Sequence, residues 1–127
     1  MDIDITVAMQ AENLNALIAM AQELKLSPVL PVPLESLLNL NLLKKWHDER
    51  NLKAFALKTD ELAGVTLDIL LFPPVDFSSM YSRAVIFDVA NTQVKVAAIN
   101  DLIAMKNAVG REIDLMDIEH LNALKNL

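Results

Sequence analysis

The stretch from Val65 to Phe72, VTLDILLF, is apolar apart from Thr66 and Asp68, and Pro73 and Pro74 stop it. Its length and bounding prolines predict a strand. Leu67, Ile69, Leu70 and Leu71 predict that both faces of that strand are largely buried. A carboxylate placed there is costly to desolvate unless it is paired or bound to a metal. Whatever fold the chain adopts must therefore supply Asp68 with a partner from elsewhere in the sequence.

The opening residues, MDIDITV, offer one. Alternation of Asp2 and Asp4 with Ile3, Ile5 and Val7 reads as a strand, and residues two apart on a strand share a face. Asp2 and Asp4 therefore project together. A divalent ion with oxygen ligands, Mg²⁺ above all, offsets the repulsion of such a pair. Taken alone, the same two residues also read as a solvated strand end. If the strands bearing D-x-D and Asp68 are neighbours, the three carboxylates can share a cation site suited to phosphoryl chemistry.

The other elements follow from periodicity and punctuation. Leu14, Leu17, Ile18, Ala21 and Leu24 recur at helical spacing and predict an amphipathic helix over 11–25. SPVLPVP, with Pro28, Pro31 and Pro33, predicts an extended connection or edge segment. Leu34 to Glu49 is predicted helical, with Trp46 as an apolar anchor and KKWHDER as a solvated end. Leu52 to Lys58 alternates and pairs with the Val65 run as a hairpin, TDELAG providing the turn. Asp76 to Ser82 predicts a short helix with Asp76 near its start. A second hairpin joins 84–89 to 93–98. Asn100 is the expected cap of a helix running to Ala108 and ended by Gly110, and Asp114 with Asp117 resembles a capping arrangement for a last helix. The whole is expected to be a single α+β domain over 1–127, a mixed sheet packed by helices.

Charge and composition narrow the functional classes. Eleven Lys and Arg against seventeen Asp and Glu give a net charge of −6, with no basic cluster, which disfavours large nucleic acids as partners. No apolar run approaches the roughly 18 residues of a membrane span. With no basic, apolar leader at the start and no cysteines, the chain is expected to be cytoplasmic and free of disulfides. His47 and His120 lie in polar helical surroundings with no second histidine at metal spacing, so both are expected at the surface. Ser78 and Ser79 have no partnered base in view, and the six methionines read as core filler.

MDIDITV followed by an amphipathic helix and then VTLDILL resembles the nucleotidyltransferase fold of the DNA polymerase β superfamily. There, D-x-D on one strand and a further Asp on another hold the catalytic metals. The last third of the chain, from FPPVDFSSMYSRA through VKVAAINDLIAMKNAVGREIDLMDIEHL, is similar to small prokaryotic members of that superfamily, including relatives of toxin–antitoxin and abortive-infection components. The resemblance implies Asp2, Asp4 and Asp68 as ligands of Mg²⁺ or Mn²⁺ and as catalytic residues, with Lys106 and Arg111 meeting phosphate. It implies transfer of a nucleoside monophosphate from a nucleoside triphosphate to an acceptor hydroxyl. From the residues alone, Lys106 could equally pair with Asp101 or Asp114, and Arg111 with Asp114 or Asp117.

One departure matters. Members of the superfamily that catalyse the reaction carry a Gly-Ser turn shortly before D-x-D, whereas the glycines here are Gly64 and Gly110. The expectation is thus an N-terminally truncated version of the fold. An inactive interaction module, or one component of a toxin–antitoxin-type pair, is the alternative to an enzyme. Loss of the first elements would leave a sheet edge and apolar surface uncovered, favouring a homodimer or a partner protein.

Overall fold

The computed structural model of the chain describes residues 2–61 and 64–125. Helices and strands are mixed in an α+β arrangement, and the chain falls into two compact units, 1–72 and 73–127.

The first unit is built on a four-stranded mixed sheet. Its strands are β1 (Asp2–Ile5), β2 (Ser27–Pro28), β3 (Ala54–Lys58) and β4 (Thr66–Leu70), in the spatial order β1-β4-β3-β2. β1 runs parallel to β4, β3 is antiparallel to β4, and β2 is antiparallel to β3. Leu62 and Ala63 of the predicted TDELAG turn lie outside the described residues; around them, Thr59 and Val65 exchange main-chain contact, and the Thr59 hydroxyl accepts the Val65 amide at 3.2 Å. The prolines keep β2 short. Pro28 has no amide to donate and sits in the edge strand, where that loss is harmless.

Alternation divides the sheet into two unlike faces. Phe55 and Leu57 of β3 and Leu67 and Ile69 of β4 are buried, whereas Ala54, Ala56, Thr66, Asp68 and Leu70 are half-buried. The buried side is covered by α1 (Ala11–Glu23), a 3₁₀ turn (Leu34–Leu38) and α2 (Leu40–Arg50), which contribute Leu17, Ile18, Ala21, Leu37 and Leu43 to one core. The expectation that β4 is buried on both faces is corrected by this division: Leu70 shares the half-buried face with Asp68.

The predicted helix over Leu34–Glu49 is broken in two. Asn39 leaves helical geometry, and its side chain accepts the Leu42 amide at 3.1 Å, satisfying a donor that a helix start leaves free. At the other end Asn51, with φ 56° and ψ 34°, takes the left-handed conformation that terminates α2. His47 is half-buried, with its side chain 16% exposed. Phe72 packs edge-on to its ring at 5.3 Å, and Asp48 lies 3.0 Å from Nδ1, so a surface position is not what the fold gives it. His120 is exposed as expected.

The second unit contains α3 (Phe77–Arg83), a hairpin of β5 (Val85–Val89) and β6 (Thr92–Val96), α4 (Ile99–Val109) and α5 (Glu112–Lys125). Asp76 caps α3 as predicted, accepting the Ser79 amide at 3.1 Å. The hairpin turns through Ala90 and Asn91, both at positive φ (48° and 68°), the handedness that matches strand twist in a two-residue loop. α4 starts without a side-chain cap: Ala98 occupies the cap position, and Asn100 lies inside the first turn instead of before it. Gly110 ends α4 at φ 69°, as expected. No helix among the described residues is long and apolar enough to cross a membrane.

Because Ile69 is fully buried at the centre of the first unit, Ile69→Ala is expected to lower its stability by about 2–5 kcal/mol, the usual cost of a core cavity. Ile86→Ala, on the exposed hairpin, is expected to change stability by less than about 0.5 kcal/mol. Urea unfolding monitored by circular dichroism checks both.

Candidate functional site

The parallel register of β1 on β4 sets a second acid beside Asp68 and no compensating charge. Asp4 stands directly opposite Asp68, with Asp2 opposite Thr66 and Ile5 opposite Ile69. On the other side of β4, Ala56 lies opposite Asp68 and Lys58 opposite Thr66. One face of the sheet thus reads, row by row, Asp2, Thr66, Lys58 and then Asp4, Asp68, Ala56. Neighbouring strands lie about 4.8 Å apart, so the carboxylates of Asp4 and Asp68 are near neighbours, and no cation shares their row.

Electrostatics follow from that placement. Burial raises the Asp68 carboxyl above the usual carboxylate range, and the adjacent Asp4 raises it further through like charge and a shared hydrogen bond. Asp2 adds a smaller repulsion. Asp2 and Asp4 themselves are exposed on an edge strand. The structure therefore brings together two of the three predicted acids as a cross-strand pair and leaves the third one pleat away on the same face. Among the described residues, no group of three His, Cys, Asp or Glu side chains is set to hold a metal. Two carboxylates suit a hard cation that completes its shell with water and phosphate, which is how Mg²⁺ is commonly bound.

The remaining candidates, Lys106 and Arg111, belong to the second unit and are engaged there. Lys106 on α4 donates to Asp117 on α5 at 2.9 Å and lies 3.9 Å from Asp114. Arg111 grips Asp114 through Nε (2.7 Å) and Nη2 (3.3 Å), and its main-chain amide donates to the same carboxylate at 3.2 Å. Asp114 thus reaches back from the third residue of α5 to the residue before the helix, half of a capping box. Asp114 therefore caps from inside the first turn and not, with Asp117 three residues later, as the residue that precedes the helix, and Asp117 serves Lys106 instead. The Arg111 guanidinium beside Asp114 holds that carboxyl below the usual range.

A further pair escaped the sequence reading. Arg83, at the end of α3, donates two bonds to Asp101 of α4, Nε to Oδ2 at 3.0 Å and Nη2 to Oδ1 at 2.8 Å. Asp101 is 5% exposed, so a planar guanidinium satisfying both oxygens is what makes its burial tolerable. No short-range signal in the sequence could have paired residues 18 apart across a hairpin.

Comparison with protein-family models, with curated proteins and with solved structures finds no match for the chain.

Asp68 and Asp114 respond to acid with opposite signs. Asp68, raised in the folded state, costs stability at pH values above its raised pKa, and that cost vanishes below about pH 4, where the unfolded chain is protonated too. Asp114, lowered in the folded state, stabilises above about pH 4, and its contribution is lost as pH falls through its lower folded value. Without divalent cations, Asp68→Asn is therefore expected to be more stable than the natural chain at pH 7, and Asp114→Asn less stable. Urea titrations run from pH 7 downward should show the Asp68 difference closing towards about pH 4 and the Asp114 difference closing only below it.

Proposed function

We propose that the acid-bearing sheet face of the first unit binds a divalent cation and, through it, a nucleoside triphosphate, in the manner of a nucleotidyltransferase. The observation that carries this reading is the register that sets Asp4 opposite Asp68 with no compensating cation in the row. Asp4 and Asp68 would hold Mg²⁺ or Mn²⁺, with Asp2 alongside on the same face. The ion would draw charge from the phosphates as pyrophosphate leaves. Asp68, half-buried beside Asp4, would complete that site, and its carboxylate is placed to take the proton of the acceptor hydroxyl as that oxygen bonds to the α-phosphorus. Asp4, exposed on the edge strand beside it, is the more accessible ligand for the cation.

A second reading, a non-catalytic member of the same fold acting as an interaction module or as one half of a toxin–antitoxin-type pair, is favoured by one observation. Lys106 and Arg111, the residues to which the resemblance assigns phosphate, already answer acids of their own unit. A phosphate would have to compete with Asp117 for the first and with a two-pronged Asp114 contact for the second.

Cation and nucleotide binding separate the two. Mg²⁺ or Mn²⁺ at a hundred times its dissociation constant should stabilise the natural chain by about 2.7 kcal/mol, and this gain should be lost in both Asp4→Asn and Asp68→Asn. Calorimetry with a triphosphate and Mg²⁺ should register binding that either substitution removes. Stabilisation by the cation without any heat from millimolar nucleotide would favour the non-catalytic reading, and no response to the cation would overturn the metal site itself.

A further inference from the structure

We infer that Ser27, Lys58 and Thr66, one cross-strand row on the sheet face that carries the acids, form a polyphosphate subsite that holds the terminal phosphates of a cation-bound nucleoside triphosphate. The inference rests on the divalent-cation reading of Asp4 and Asp68, and it assigns the part of the ligand that those acids by themselves would repel.

Pairing register sets three donors side by side. Ser27 of β2 lies opposite Lys58 of β3, and Lys58 lies opposite Thr66 of β4. Residues directly opposite on paired strands share a face, so the two hydroxyls flank the lysine. Alternation along β3 fixes which face this is. Phe55 and Leu57 are buried in the core, and Lys58 falls on the side of Ala56, which lies opposite Asp68. Lys58 is thereby the diagonal neighbour of Asp68, about 7–8 Å away, a separation within reach of a long side chain. Asp2 closes the row on the far side of Thr66. Ala56, beside both Asp68 and Lys58 on this face, carries only a methyl group and adds no bulk to the path between them.

Ser27 and Lys58 are exposed and Thr66 is half-buried. Among the described residues, none of these three side chains is engaged in a hydrogen bond or an ion pair. Lys58 is therefore not a counter-ion already committed to Asp2 or Asp68. Lys106 and Arg111, in the second unit, are matched to acids there.

Chemistry selects the ligand. An ammonium and two hydroxyls can all donate to phosphate oxygens. A free anion is opposed here by Asp2, Asp4 and Asp68, so the row takes phosphate only when a divalent cation on Asp4 and Asp68 offsets their charge. The phosphate must then extend from the cation across one pleat to Lys58. A triphosphate chain is long enough to do so, whereas a monophosphate held at the cation stops short.

Calorimetry on the full chain in Mg²⁺, with ATP and AMP as probes, tests the subsite. Lys58→Met should weaken ATP binding by roughly 10- to 100-fold, the worth of a charge-assisted contact, and leave AMP binding unchanged. Lys58→Arg should retain most of the ATP affinity. Ser27→Ala and Thr66→Val should each weaken ATP binding by roughly 2- to 10-fold, as expected for a single hydroxyl donor. Stabilisation by Mg²⁺ alone, read from urea unfolding, should be undiminished in Lys58→Met, since that change removes a positive charge from the face. Were Lys58→Met to unfold, Ser27→Ala, an exposed position, carries the same test. ATP binding indifferent to these substitutions, equal losses for ATP and AMP, or Mg²⁺ stabilisation with no ATP binding would each overturn the subsite and leave the cation site standing. No Mg²⁺ stabilisation of the natural chain would overturn the cation site, and the subsite with it.

Discussion

The parallel pairing of β1 with β4 is the constraint on which the first unit depends. It joins the opening residues of the chain to a strand more than sixty positions later, and its register decides two things together. Ile5 comes opposite Ile69, a core residue, and Asp4 comes opposite Asp68 on the reverse side. A shift of one residue would turn the acids of β1 toward the helices and its isoleucines away from the core. Burial of the apolar face is therefore what enforces the closeness of the two carboxylates, even though they repel. Burial first and the neighbouring Asp4 second raise the Asp68 carboxyl above its ordinary value, and a cation on that face would offset both.

The second unit is organised differently. Its hairpin buries none of its apolar side chains, and three charged contacts link or cap its helices: Arg83 to Asp101 between α3 and α4, Lys106 to Asp117 between α4 and α5, and Arg111 to Asp114 at the start of α5. Two of these acids, Asp101 and Asp114, are almost wholly buried, which makes their arginines structural necessities. The residues that a family resemblance assigns to phosphate are thus also parts of the unit's framework. Any ligand contact they make has to be shared with, or taken from, that framework.

Legibility in the sequence tracked the range of the interaction responsible. Asp76 and Gly110 mark helix ends through contacts within a few residues, and both were read correctly. Asn39 acts just as locally, yet the regular leucines around it concealed the break between the 3₁₀ turn and α2. Asn100 misled in the other direction: a favourable cap residue lay one position inside a helix that begins at Ile99 without a side-chain cap. His47 read as a surface residue because its neighbours are charged, but the chain returns Phe72 to its ring. Of the candidate site, the strand character of the two acidic segments and the shared face of Asp2 and Asp4 were legible, since both rest on a period of two residues.

By itself the sequence determined where the carboxylates sit along their strands, which side chains alternate with them, and that a lone acid in an apolar run needs a partner. Tertiary structure alone decided that its cross-strand neighbour is a second acid, Asp4, and that Asp2 stands one pleat away, because register between distant strands is set by the burial of Ile5, Leu67 and Ile69 against helices in between. It also decided that Lys106 and Arg111 are matched to Asp117 and Asp114. Several acids lie within reach of each cation along the chain, and only the packing of α4 and α5 selects among them.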